Sequence, residues 1–437
     1  MLDIKFIEEN KEKVKEAAAL KKIDIDIDFL IKLNAQRKDF LKRVENLRAE
    51  RNQNIEKIKE LKKENSSEKE KFVKKGREIK EKLKEAEEEY RKIDQKFREL
   101  LLIVPNIPSE DTPRGESDED NVEIKKWGET PVFDFPIKSH MELGEELDII
   151  DLKIGAKVSG FRGYYLKNEA VLLHFGVLWY ALNKLIQKGF IPFIPPTLVN
   201  DFALFGSGHF PFDEDEVYQI SNPGKIASGE EIASPKYLVG TAEPSLLAYY
   251  SDKVFKEKDL PVKACGMSQC YRSEVGSYGK DVKGLYRIHE FMKVEQIVIC
   301  KADINESNEY LEEMRKISEE ILQELKLPYR VLSICTEDMG AGKYKMYDIE
   351  TWMPARSSYG ETHSDSNLTN WQTRRLNIKY QKEDGQREYA FALNNTAIAS
   401  PRILVAILEN YQQKDGSVTV PEVLRPYLGG KSSINRK

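Results

Sequence analysis

The chain has 437 residues, of which 40% are hydrophobic and 33% are charged, and its formal net charge is −5. This length is enough for two or three domains with a large core, and the sequence has no run of 18 or more apolar residues that would predict a transmembrane helix. The four cysteines form no CxxC pair and the five histidines form no HExxH motif, so we expect a reducing compartment, no disulfide framework and no zinc site.

The charge is unevenly distributed along the chain. Residues 1–104 contain 29 Lys/Arg and 24 Asp/Glu, a net charge of +5, whereas the remainder has a net charge of −10. A modestly basic N-terminal part therefore precedes an acidic body. This pattern is typical either of a solvated helical surface or of an arm that contacts phosphates.

The N-terminal part lacks proline and favours helices. From residue 72 onward, apolar or small residues recur every four and three positions, the spacing of a heptad repeat: Phe72, Gly76, Ile79, Leu83, Ala86, Tyr90, Ile93, Phe97 and Leu100. A looser partner series, interrupted by Arg51, comprises Val44, Leu47, Ile55, Ile58 and Leu61. With a polar turn at 65–67 between them, the two series predict a long antiparallel coiled-coil hairpin over about residues 37–101.

The composition changes at residue 105. Residues 105–121 are rich in proline and acidic side chains and predict a linker without regular structure, which would separate a domain at 1–104 from one at 122–437. In the second domain we predict helices over about 168–188, 245–254, 304–326 and 401–414, and strands at 237–239, 296–299 and 389–393. Separated helices and many short strands predict an α+β domain on a mostly antiparallel sheet flanked by helices. The sequence contains neither GxGxxG nor GxxxxGK[ST], which argues against a Rossmann or P-loop nucleotide site.

One short stretch, CYRSEVG at 270–276, carries two opposite charges at the end of a predicted strand. Residues two apart on a strand share a face, so we expect Arg272 and Glu274 to lie together. Such a pair is either surface decoration or the floor of a site that binds an anionic and a basic group. A loop with glycines and lysines follows, and the return strand places Phe291, Lys293 and Glu295 at period two.

Several motifs together resemble a known family. Arg272, Glu274, Phe291 and Glu295 resemble the second signature motif of class II aminoacyl-tRNA synthetases. Thr241-Ala242-Glu243 is similar to the TxE amino-acid-binding motif of seryl-tRNA synthetases, and residues 361–364 are similar to the metal- and ATP-contacting segment of that family. Residues 393–402 resemble the third class II motif, 189–196 the first, and the N-terminal hairpin the tRNA-binding arm.

This resemblance covers essentially the whole chain in order, and it implies a fold and an activity. The fold is an N-terminal coiled-coil arm followed by a class II catalytic domain. The activity is that of a serine–tRNA ligase in protein biosynthesis, which forms seryl-adenylate and pyrophosphate from L-serine and ATP. Serine is then transferred to the 3′ end of tRNA(Ser), and of tRNA(Sec) where present. The resemblance also implies a cytoplasmic homodimer that uses Mg²⁺ with ATP and has no membrane partner.

The resemblance implies roles for individual residues. The catalytic group comprises Arg272, Glu361 and Arg402. Serine would be bound by Thr241, Ala242, Glu243, Arg272, Glu295 and Thr396. ATP would be bound by Arg272, Ser273, Glu274, Ile288, Phe291, Glu361, Thr362, His363, Ser364 and Arg402. Glu361 and Ser364 would hold Mg²⁺, because hard oxygen ligands beside phosphates suit this ion.

The chemistry fits these residue types. A serine carboxylate is already ionised at neutral pH, so activation needs positioning and charge neutralisation rather than a general base. The planar fork of an arginine matches a phosphate or a carboxylate. Lys280, Lys283 and Arg287 are placed to contact the acceptor end of tRNA. The stretch 206–212 resembles a loop that closes over serine, and its alternative is an ordinary glycine turn.

Two departures from the family pattern bear on the site. Asp365 stands where the family usually has cysteine, and we expect it to lie on the surface, the alternative being an influence on metal affinity. Asn394 and Asn395 stand where the generic third motif is rich in glycine, and asparagine can adopt the positive φ that such a loop would need.

Three other functions are less consistent with the sequence than that of a serine–tRNA ligase. A non-catalytic tRNA-binding or scaffold protein is disfavoured because Arg272, Glu361 and Arg402 are all present. An amino-acid:carrier-protein ligase on the same catalytic domain would lack the long arm. A coiled-coil partner protein would leave residues 122–437 unexplained.

Overall fold

The computed structural model describes residues 1–60, 66–222, 224–225, 229, 234–275 and 284–436. The chain divides into two compact units, Met1–Pro105 and Asn106–Lys437. Residue 65 of the predicted turn and Leu61 of the predicted coiled-coil series lie outside the described residues.

The first unit is helical. Its elements are α1 (Ile4–Glu9), α2 (Lys11–Leu20), α3 (Ile27–Glu60) and α4 (Ser66–Ile103). Helices α3 and α4 pack along one another around Val44, Leu83 and Ala86. Ion pairs join residues far apart in sequence, Arg37 to Asp94 at 3.1 Å and Glu50 to Lys75 at 3.0 Å, so the two helices run antiparallel. The predicted helical hairpin is confirmed.

One residue of the predicted coiled-coil series, Ile55, does not lie in the core of the hairpin. Ile55 is 42% exposed, whereas Asn54 is 5% exposed and donates from Nδ2 to the carbonyl of Phe72 at 2.9 Å. Asn54 restores the alternating three- and four-residue spacing that Ile55 interrupts, and the sequence interpretation chose the apolar neighbour instead. The absence of a side chain at Gly76 makes room for this amide, because a Cβ there would lie 3.0 Å from Asn54 Nδ2.

The second unit contains eight further α-helices in the described ranges. They are α5 (His140–Glu146), α6 (Leu152–Ser159), α7 (Glu169–Gln187), α8 (Asp201–Ser207), α9 (Glu243–Ala248), α10 (Ile304–Glu324), α11 (Trp371–Arg375) and α12 (Ser400–Asn410). The strands are β1 (Val122–Trp127), β2 (Ile150–Asp151), β3 (Tyr165–Leu166), β4 (Ile191–Phe193), β5 (Leu198–Asn200), β6 (Gln219–Ile220), β7 (Lys236–Leu238), β8 (Val254–Lys256), β9 (Val262–Tyr271), β10 (Glu290–Cys300), β11 (Tyr329–Ser333), β12 (Lys345–Met353), β13 (Ser358–Asn367), β14 (Lys379–Gln381), β15 (Arg387–Tyr389), β16 (Phe391–Ala399), β17 (Val418–Thr419) and β18 (Ser433–Ile434).

The main sheet has eight strands in the order β1-β11-β12-β13-β16-β10-β9-β4. Neighbouring strands are antiparallel except for β4 and β9, which are parallel. Helices α7, α10 and α12 contribute buried apolar side chains to the core that covers one face of the sheet. The predicted α+β fold on a mostly antiparallel sheet is confirmed. Of the helices in the described ranges, α7 alone is long and apolar enough to cross a membrane, and half of it is buried in the protein.

Two predicted helices are shorter than expected. The helix predicted over 245–254 ends at Ala248, and residues 254–256 instead form β8, which pairs in parallel with β14. This pairing is non-local and overrides the local helical pattern. The helix predicted over 401–414 ends at Asn410, because Tyr411 accepts a backbone hydrogen bond from Thr419 at 3.0 Å. The strand predicted at 389–393 is divided between β15 and β16.

The segment 106–121 packs against the second unit. Asn106 is buried, and its side chain donates to the carbonyls of Gly342 at 3.1 Å and Leu368 at 3.0 Å. Contrary to the expectation of no regular structure, Asp118–Asp120 form one turn of 3-10 helix. The acidic composition of the segment therefore does not leave it detached from the fold.

Candidate active site

The chain leaves the sheet immediately before Arg272. Strand β9 ends at Tyr271, and Glu274 has a φ of 54°, so the prediction that Arg272 and Glu274 project from one face of a strand is wrong. The segment docks instead on a short 3-10 turn at 214–216. The hydroxyl of Ser273 donates to the carbonyl of Asp215 at 2.5 Å, and the amide of Glu274 donates to the carboxylate of Glu216 at 3.0 Å. These local partners explain why the strand does not continue.

Arg287 faces the same cleft as these residues. Its Nη1 donates to the carboxylate of Glu274 at 2.9 Å, and the two side chains form a half-buried ion pair. The sequence interpretation grouped Arg287 with two lysines of the preceding loop as contacts for an acceptor end. Lys280 and Lys283 lie outside the described residues, whereas Arg287 lines the cleft beside Arg272.

A β-bulge brings Glu361 and Ser364 to one face of the sheet. In the pairing of β12 with β13, Glu361 lies opposite Glu350 and Ser364 lies opposite Asp348, so Thr362 is the extra residue of the bulge. Residues three apart would otherwise point to opposite faces of a strand. The bulge therefore explains how an E-x-x-S spacing can form one oxygen-rich surface.

The carboxyl groups on this surface are electrostatically coupled. Burial raises the pKa of Glu361, but the guanidinium groups of Arg402, Arg272 and Arg287 together outweigh burial and hold that pKa below its usual value. Burial, with the charge of Glu361 nearby, raises the pKa of Asp348 well above its usual range. Glu361 is therefore the more acidic of the two carboxyl groups, and burial disfavours the charged form of Asp348.

The surface has the donor set that a hard divalent cation prefers. Oδ1 of Asp348 is buried and has no hydrogen-bond partner in the described ranges, while Glu361 and Ser364 supply a carboxylate and a hydroxyl beside it. No group of three or more His, Cys, Asp or Glu side chains suited to a metal ion occurs in the part of the chain that the structure describes. The set therefore fits an ion that takes the rest of its ligands from phosphates or water.

A small polar pocket lies between β10 and β16. Glu295 lies directly opposite Thr396, next to a second bulge in which Ala397 is the extra residue. The carboxylate of Glu295 accepts from Thr241 Oγ1 at 3.1 Å and forms a short ion pair with Lys293, whose ammonium lies 3.5 Å from Thr396 Oγ1. All four side chains are at least nine-tenths buried. The pocket therefore offers a carboxylate, an ammonium and two hydroxyls in a site screened from water.

Glu243 supports this pocket from one side. Its Oε1 accepts from Asn394 Nδ2 at 2.6 Å and from Gln372 Nε2 at 2.5 Å, and its side chain is buried. Asn394 and Asn395 both lie in β16, with neither at positive φ, so the loop conformation expected for this asparagine pair is wrong. Asn394 instead links the third motif to the Thr241-Ala242-Glu243 segment.

Arg402 lies at the start of α12. Its Nη1 donates to both the carbonyl and the carboxylate of Glu361 at 3.0 Å, and its Nε donates to the carbonyl of Tyr286 at 3.3 Å. On the other side of the cleft, the Arg272 guanidinium carbon lies 5.5 Å from the centre of the Phe291 ring, and Arg272 Nε donates to the carbonyl of Gly240 at 3.3 Å. Two oriented guanidinium groups thus border the space between them.

These groups line two adjoining cavities of about 50 and 320 Å³ that form one cleft. The predicted site residues that line it are Arg272, Glu274, Ile288, Phe291, Glu361, Thr362, Thr396 and Arg402. The larger cavity is also lined by His209 and Asp213, from the stretch predicted to close over serine and the residue after it. Burial lowers the pKa of His209 to about 4, against the opposing charge of Asp213, so the imidazole is neutral at pH 7.

Some predicted site residues lie away from the cleft lining. Ala242 is fully buried in an apolar cluster, and the hydroxyl of Ser273 is turned toward Asp215. His363 lies opposite Ile349 on the covered face of the sheet, where its Nδ1 is 2.8 Å from Thr362 Oγ1. A contact between ATP and any of these three residues would therefore involve the main chain.

Asp365 is not on the surface. It is fully buried, and neither carboxyl oxygen has a hydrogen-bond partner in the described ranges. It lies opposite Asn395 of β16, which in turn lies opposite Gln296 of β10, so the three polar side chains form a row across the covered face of the sheet. The expectation failed because strand alternation places Asp365 on the face opposite to Ser364.

Three residues of the site received no role from sequence reasoning: Lys293, Tyr286 and Asp348. Lys293 carried a signal, because it shares the period-two spacing of Phe291 and Glu295. Asp348 carried none, because its place beside Glu361 depends on which strand pairs with β13. Tyr286 became apparent only from the packing around Arg402.

The fold and the cleft together define a class of protein. A mostly antiparallel sheet that presents two arginines, a carboxylate surface and a small polar pocket is the catalytic domain of a class II aminoacyl-tRNA synthetase. Residues 227–411 match the family model of the tRNA synthetase class II core domain (G, H, P, S and T). Residues 1–108 match the seryl-tRNA synthetase N-terminal domain.

Comparison with individual proteins narrows the class to one family. The chain is 44% identical over 436 residues to a serine–tRNA ligase of Deinococcus radiodurans, and the alignment covers 100% of this chain and 99% of that protein. It is 38% identical to the seryl-tRNA synthetase from Pyrococcus horikoshii, solved in complex with ATP, with a TM-score of 0.87 and full coverage of both chains. It is 30% identical to the cytoplasmic serine–tRNA ligase from Naegleria fowleri, solved with AMP, with a TM-score of 0.84 and coverage of 100% and 99%. The chain belongs to the seryl-tRNA synthetase family.

Proposed function

We propose that this protein is a serine–tRNA ligase. It activates L-serine with ATP to seryl-adenylate and pyrophosphate, and it transfers serine to the 3′ end of tRNA(Ser). The observation that carries the assignment is the buried pocket of Glu295, Thr241, Thr396 and Lys293, which adjoins the arginine-lined cleft. Family membership supports both half-reactions.

Activation requires alignment more than proton transfer. The serine carboxylate attacks the α-phosphorus of ATP, and pyrophosphate leaves with the negative charge that develops. Arg272 bridges the serine carboxylate and the α-phosphate, because its planar fork can bind both anions. Its place in the lining common to both cavities supports this role.

The adenine of ATP lies between Arg402 and Phe291 in this proposal. Both side chains line the smaller cavity, together with Ile288. A guanidinium and an aromatic ring can each stack on a purine. Glu274 is held by Arg287 and contributes to adenine recognition largely through the backbone around it.

Glu361 and Ser364 would hold Mg²⁺, with Asp348 as a neighbouring oxygen ligand. When bound, the ion would neutralise charge on the phosphates of ATP. The protein contributes the bulged strand that fixes the spacing of the oxygens, and Arg402 keeps Glu361 ionised. The depressed pKa of Glu361 therefore preserves a negative ligand over the whole neutral range.

Serine is selected by hydrogen bonds and by size. Glu295 and Thr396 bind its hydroxyl, and Thr241 and Glu243 serve the amino group. Alanine would leave these buried polar groups unpaired, a defect that is worth roughly 10⁴–10⁵-fold in discrimination where a site is built around a hydroxyl. The nine-tenths burial of Glu295 and Thr396 supports this selectivity.

The N-terminal hairpin binds tRNA(Ser), mainly through shape and phosphates. Residues 1–104 are its domain, and the candidate contacts are exposed Lys and Arg residues of α3 and α4, among them Lys38, Lys42, Lys74 and Arg77. Charging of tRNA(Sec) remains a prediction. We place the enzyme in the cytoplasm, in accord with four buried, unpaired cysteines.

The functional unit is a homodimer. Leu172, Phe175, Trp179 and Ile186 of α7 are each more than 40% exposed, and Ile191 and Ile194 of the first motif are 53% and 87% exposed. Large apolar side chains grouped in this way favour burial against another subunit. Residues 189–196 resemble the first class II motif, which builds the dimer interface in that family, and this resemblance supports the proposal.

The first test is serine-dependent exchange of pyrophosphate into ATP, in the absence of tRNA. We expect exchange with serine and none with alanine, glycine, threonine or cysteine at equal concentration. Arg272→Ala should abolish it. A folded protein that exchanges with none of the five amino acids would overturn the proposal.

A further inference from the structure

The ring of Tyr286, which lines the smaller cavity, lies against two guanidinium groups. The guanidinium carbon of Arg402 is 4.7 Å from the ring centre, and that of Arg356, on the turn between β12 and β13, is 4.6 Å from it. Both distances are within the range of a cation–π contact. The ring is 9% exposed, so these contacts are made largely out of water.

Hydrogen bonds fix Arg402 in the same place. Its Nε donates to the main-chain carbonyl of Tyr286 at 3.3 Å, and its Nη1 donates to Glu361 at 3.0 Å. The Tyr286 hydroxyl donates to the carbonyl of Glu361 at 3.4 Å. The plane of the Arg402 guanidinium is therefore determined by one aromatic residue in the loop before β10 and one acidic residue on β13.

The surrounding backbone is adapted to this ring. A Cβ at Gly360 would lie 2.9 Å from the hydroxyl of Tyr286 and 3.1 Å from a ring carbon, so a larger residue there would displace the tyrosine. Gly360 is not at positive φ, and the space for the ring is the reason for glycine.

A buried pair, His140 and Glu409, anchors the segments that carry Tyr286 and Arg356. The amide of Leu285, next to Tyr286, donates to His140 Nε2 at 3.1 Å. The amide and Nδ1 of His140 bind Glu409 Oε1 at 3.0 and 2.8 Å, and the amide of Ala355, next to Arg356, donates to Glu409 Oε2 at 3.1 Å. Glu409 belongs to α12, the helix that begins beside Arg402. The segments that carry Tyr286 and Arg356 are thus both attached to α12, the helix that also carries Arg402.

We propose that Tyr286 is a positioning residue for ATP: its ring, supported by Arg356, holds the Arg402 guanidinium in the plane that stacks on the nucleotide base. The proposal rests on the assignment of Arg402 to ATP in the proposed function. Tyr286 acts through Arg402 and not on the reacting atoms. Its loss should therefore weaken the use of ATP and leave the use of serine nearly unchanged.

The test compares Tyr286→Leu with Tyr286→Phe in serine-dependent pyrophosphate exchange. We expect Tyr286→Leu to raise the KM for ATP about tenfold, in line with the loss of a desolvated cation–π contact, and to change the KM for serine less than about twofold. Tyr286→Phe keeps the ring and the main-chain carbonyl, so its KM for ATP should stay within about threefold of the wild-type value.

Tyr359→Leu is the matched control. Its ring also lies near two cations, Lys126 at 5.3 Å and Arg330 at 5.2 Å, but it does not line the cleft. It should leave both KM values unchanged. If Tyr286→Leu fails to fold, Arg356→Met decides the question, with a severalfold rise in the KM for ATP alone expected.

The proposal is overturned if Tyr286→Leu, or Arg356→Met in its place, leaves the KM for ATP unchanged or raises both KM values equally. It is also overturned if Tyr286→Phe raises the KM for ATP as much as Tyr286→Leu does. Failure of the proposed function would be distinct, since the wild-type protein would then exchange with no amino acid. In that case the same variants are compared by calorimetric titration with ATP, where only a Leu-specific loss of affinity supports the proposal.

Discussion

Glu361 and Asp348 lie on the same face of the paired strands β12 and β13, yet their environments shift their pKa values in opposite directions. Arg402 binds Glu361 directly, whereas Asp348 is buried beside that negative charge. The group with the lowered pKa is thus the one nearest the arginines. This division of roles follows from the neighbouring strands and cannot be read from the spacing of residues 348 and 361.

Glu361→Gln should lower the rate of serine-dependent pyrophosphate exchange at least about a hundredfold and raise the Mg²⁺ concentration needed for half-maximal rate, because it removes a fixed negative ligand. Asp348→Asn should cost less than about tenfold, because the raised pKa of Asp348 disfavours its charged form before the ion binds. A Mg²⁺ titration of the exchange rate separates the two. Equal losses in both variants would contradict the assignment.

Asp365→Asn should stabilise the protein by about 1 to 3 kcal/mol at pH 7. The carboxyl group is fully buried without a donor, and its neighbour Asn395 has an orphaned Oδ1 to which a new amide could donate. The free energy of unfolding in urea measures the change, and Asp365→Ala, which removes the carboxyl without adding a donor, should gain less. A destabilised Asn variant would show that Asp365 has a favourable partner.

At the scale of single residues, the sequence was sufficient to predict those site residues whose type and spacing form a distinctive motif. Arg272, Glu361, Phe291 and Arg402 all line the cleft, and their motifs made them visible. Asp365 was wrongly predicted to lie on the surface, because the bulge at Thr362 determines which face of β13 it occupies.

At the scale of elements, α7 and α12 meet beside the site through a buried histidine. His174 of α7 lies with Nδ1 2.5 Å from the hydroxyl of Ser400, at the start of α12, and with Nε2 3.4 Å from the sulfur of Met292. Burial lowers the pKa of His174 to about 4. The contact that joins the two helices is therefore made by a neutral imidazole.

His174→Gln should reduce the acid sensitivity of the fold. The folded-state pKa of about 4 lies below the unfolded value near 6.5, so this group contributes stability that is fully present above pH 6.5 and is lost as the pH falls toward 4. The contribution amounts to about 3 kcal/mol at most. The free energy of unfolding in urea, measured at several pH values, should depend less steeply on pH in the variant. The remaining pH dependence includes the other buried histidines with a lowered pKa, His209 and His363. An unchanged slope would contradict this role.

Elements with strong periodicity were predicted well. Helices α7 and α10 agree with the sequence prediction to within two residues, because their apolar spacing is long and regular. The helix predicted over 245–254 ends early and β8 was not predicted, because its pairing partner β14 lies more than 120 residues away in the sequence. Asn54 was missed for a different reason: a polar residue occupies a core position of the hairpin.

At the scale of the whole molecule, the two units have separate cores and are proposed to have separate tasks. The hairpin core lies around Val44 and Leu83, whereas the cleft is built entirely from residues of the second unit. The chain order of the two units was predictable from the change of composition at residue 105. The order of the strands in the main sheet was not, because β1 and β4 lie at opposite edges, and β10 and β11, although consecutive in the chain, are not neighbours.

Replacement of residues 40–95 by a short Gly/Ser linker should leave serine-dependent exchange within about threefold of the wild-type rate. The same variant should lose tRNA(Ser) charging by at least about a hundredfold, because the phosphate contacts of the arm are removed. Both reactions are measured on one preparation, and circular dichroism confirms that the second unit remains folded. Charging at the wild-type rate would contradict the arm proposal.

The two β-bulges also limit how this sequence can change in length. A surface loop tolerates the gain or loss of a residue. The bulge at Thr362 does not, because it sets the spacing between the two proposed Mg²⁺ ligands, Glu361 and Ser364. Deletion of Thr362 would restore unbroken pairing of β12 with β13 and would turn either Glu361 or Ser364 to the covered face. Deletion of Ala397 would do the same to Thr396 and Ala399. Frame-preserving deletions of one codon should thus be far more damaging at these two positions than substitutions there.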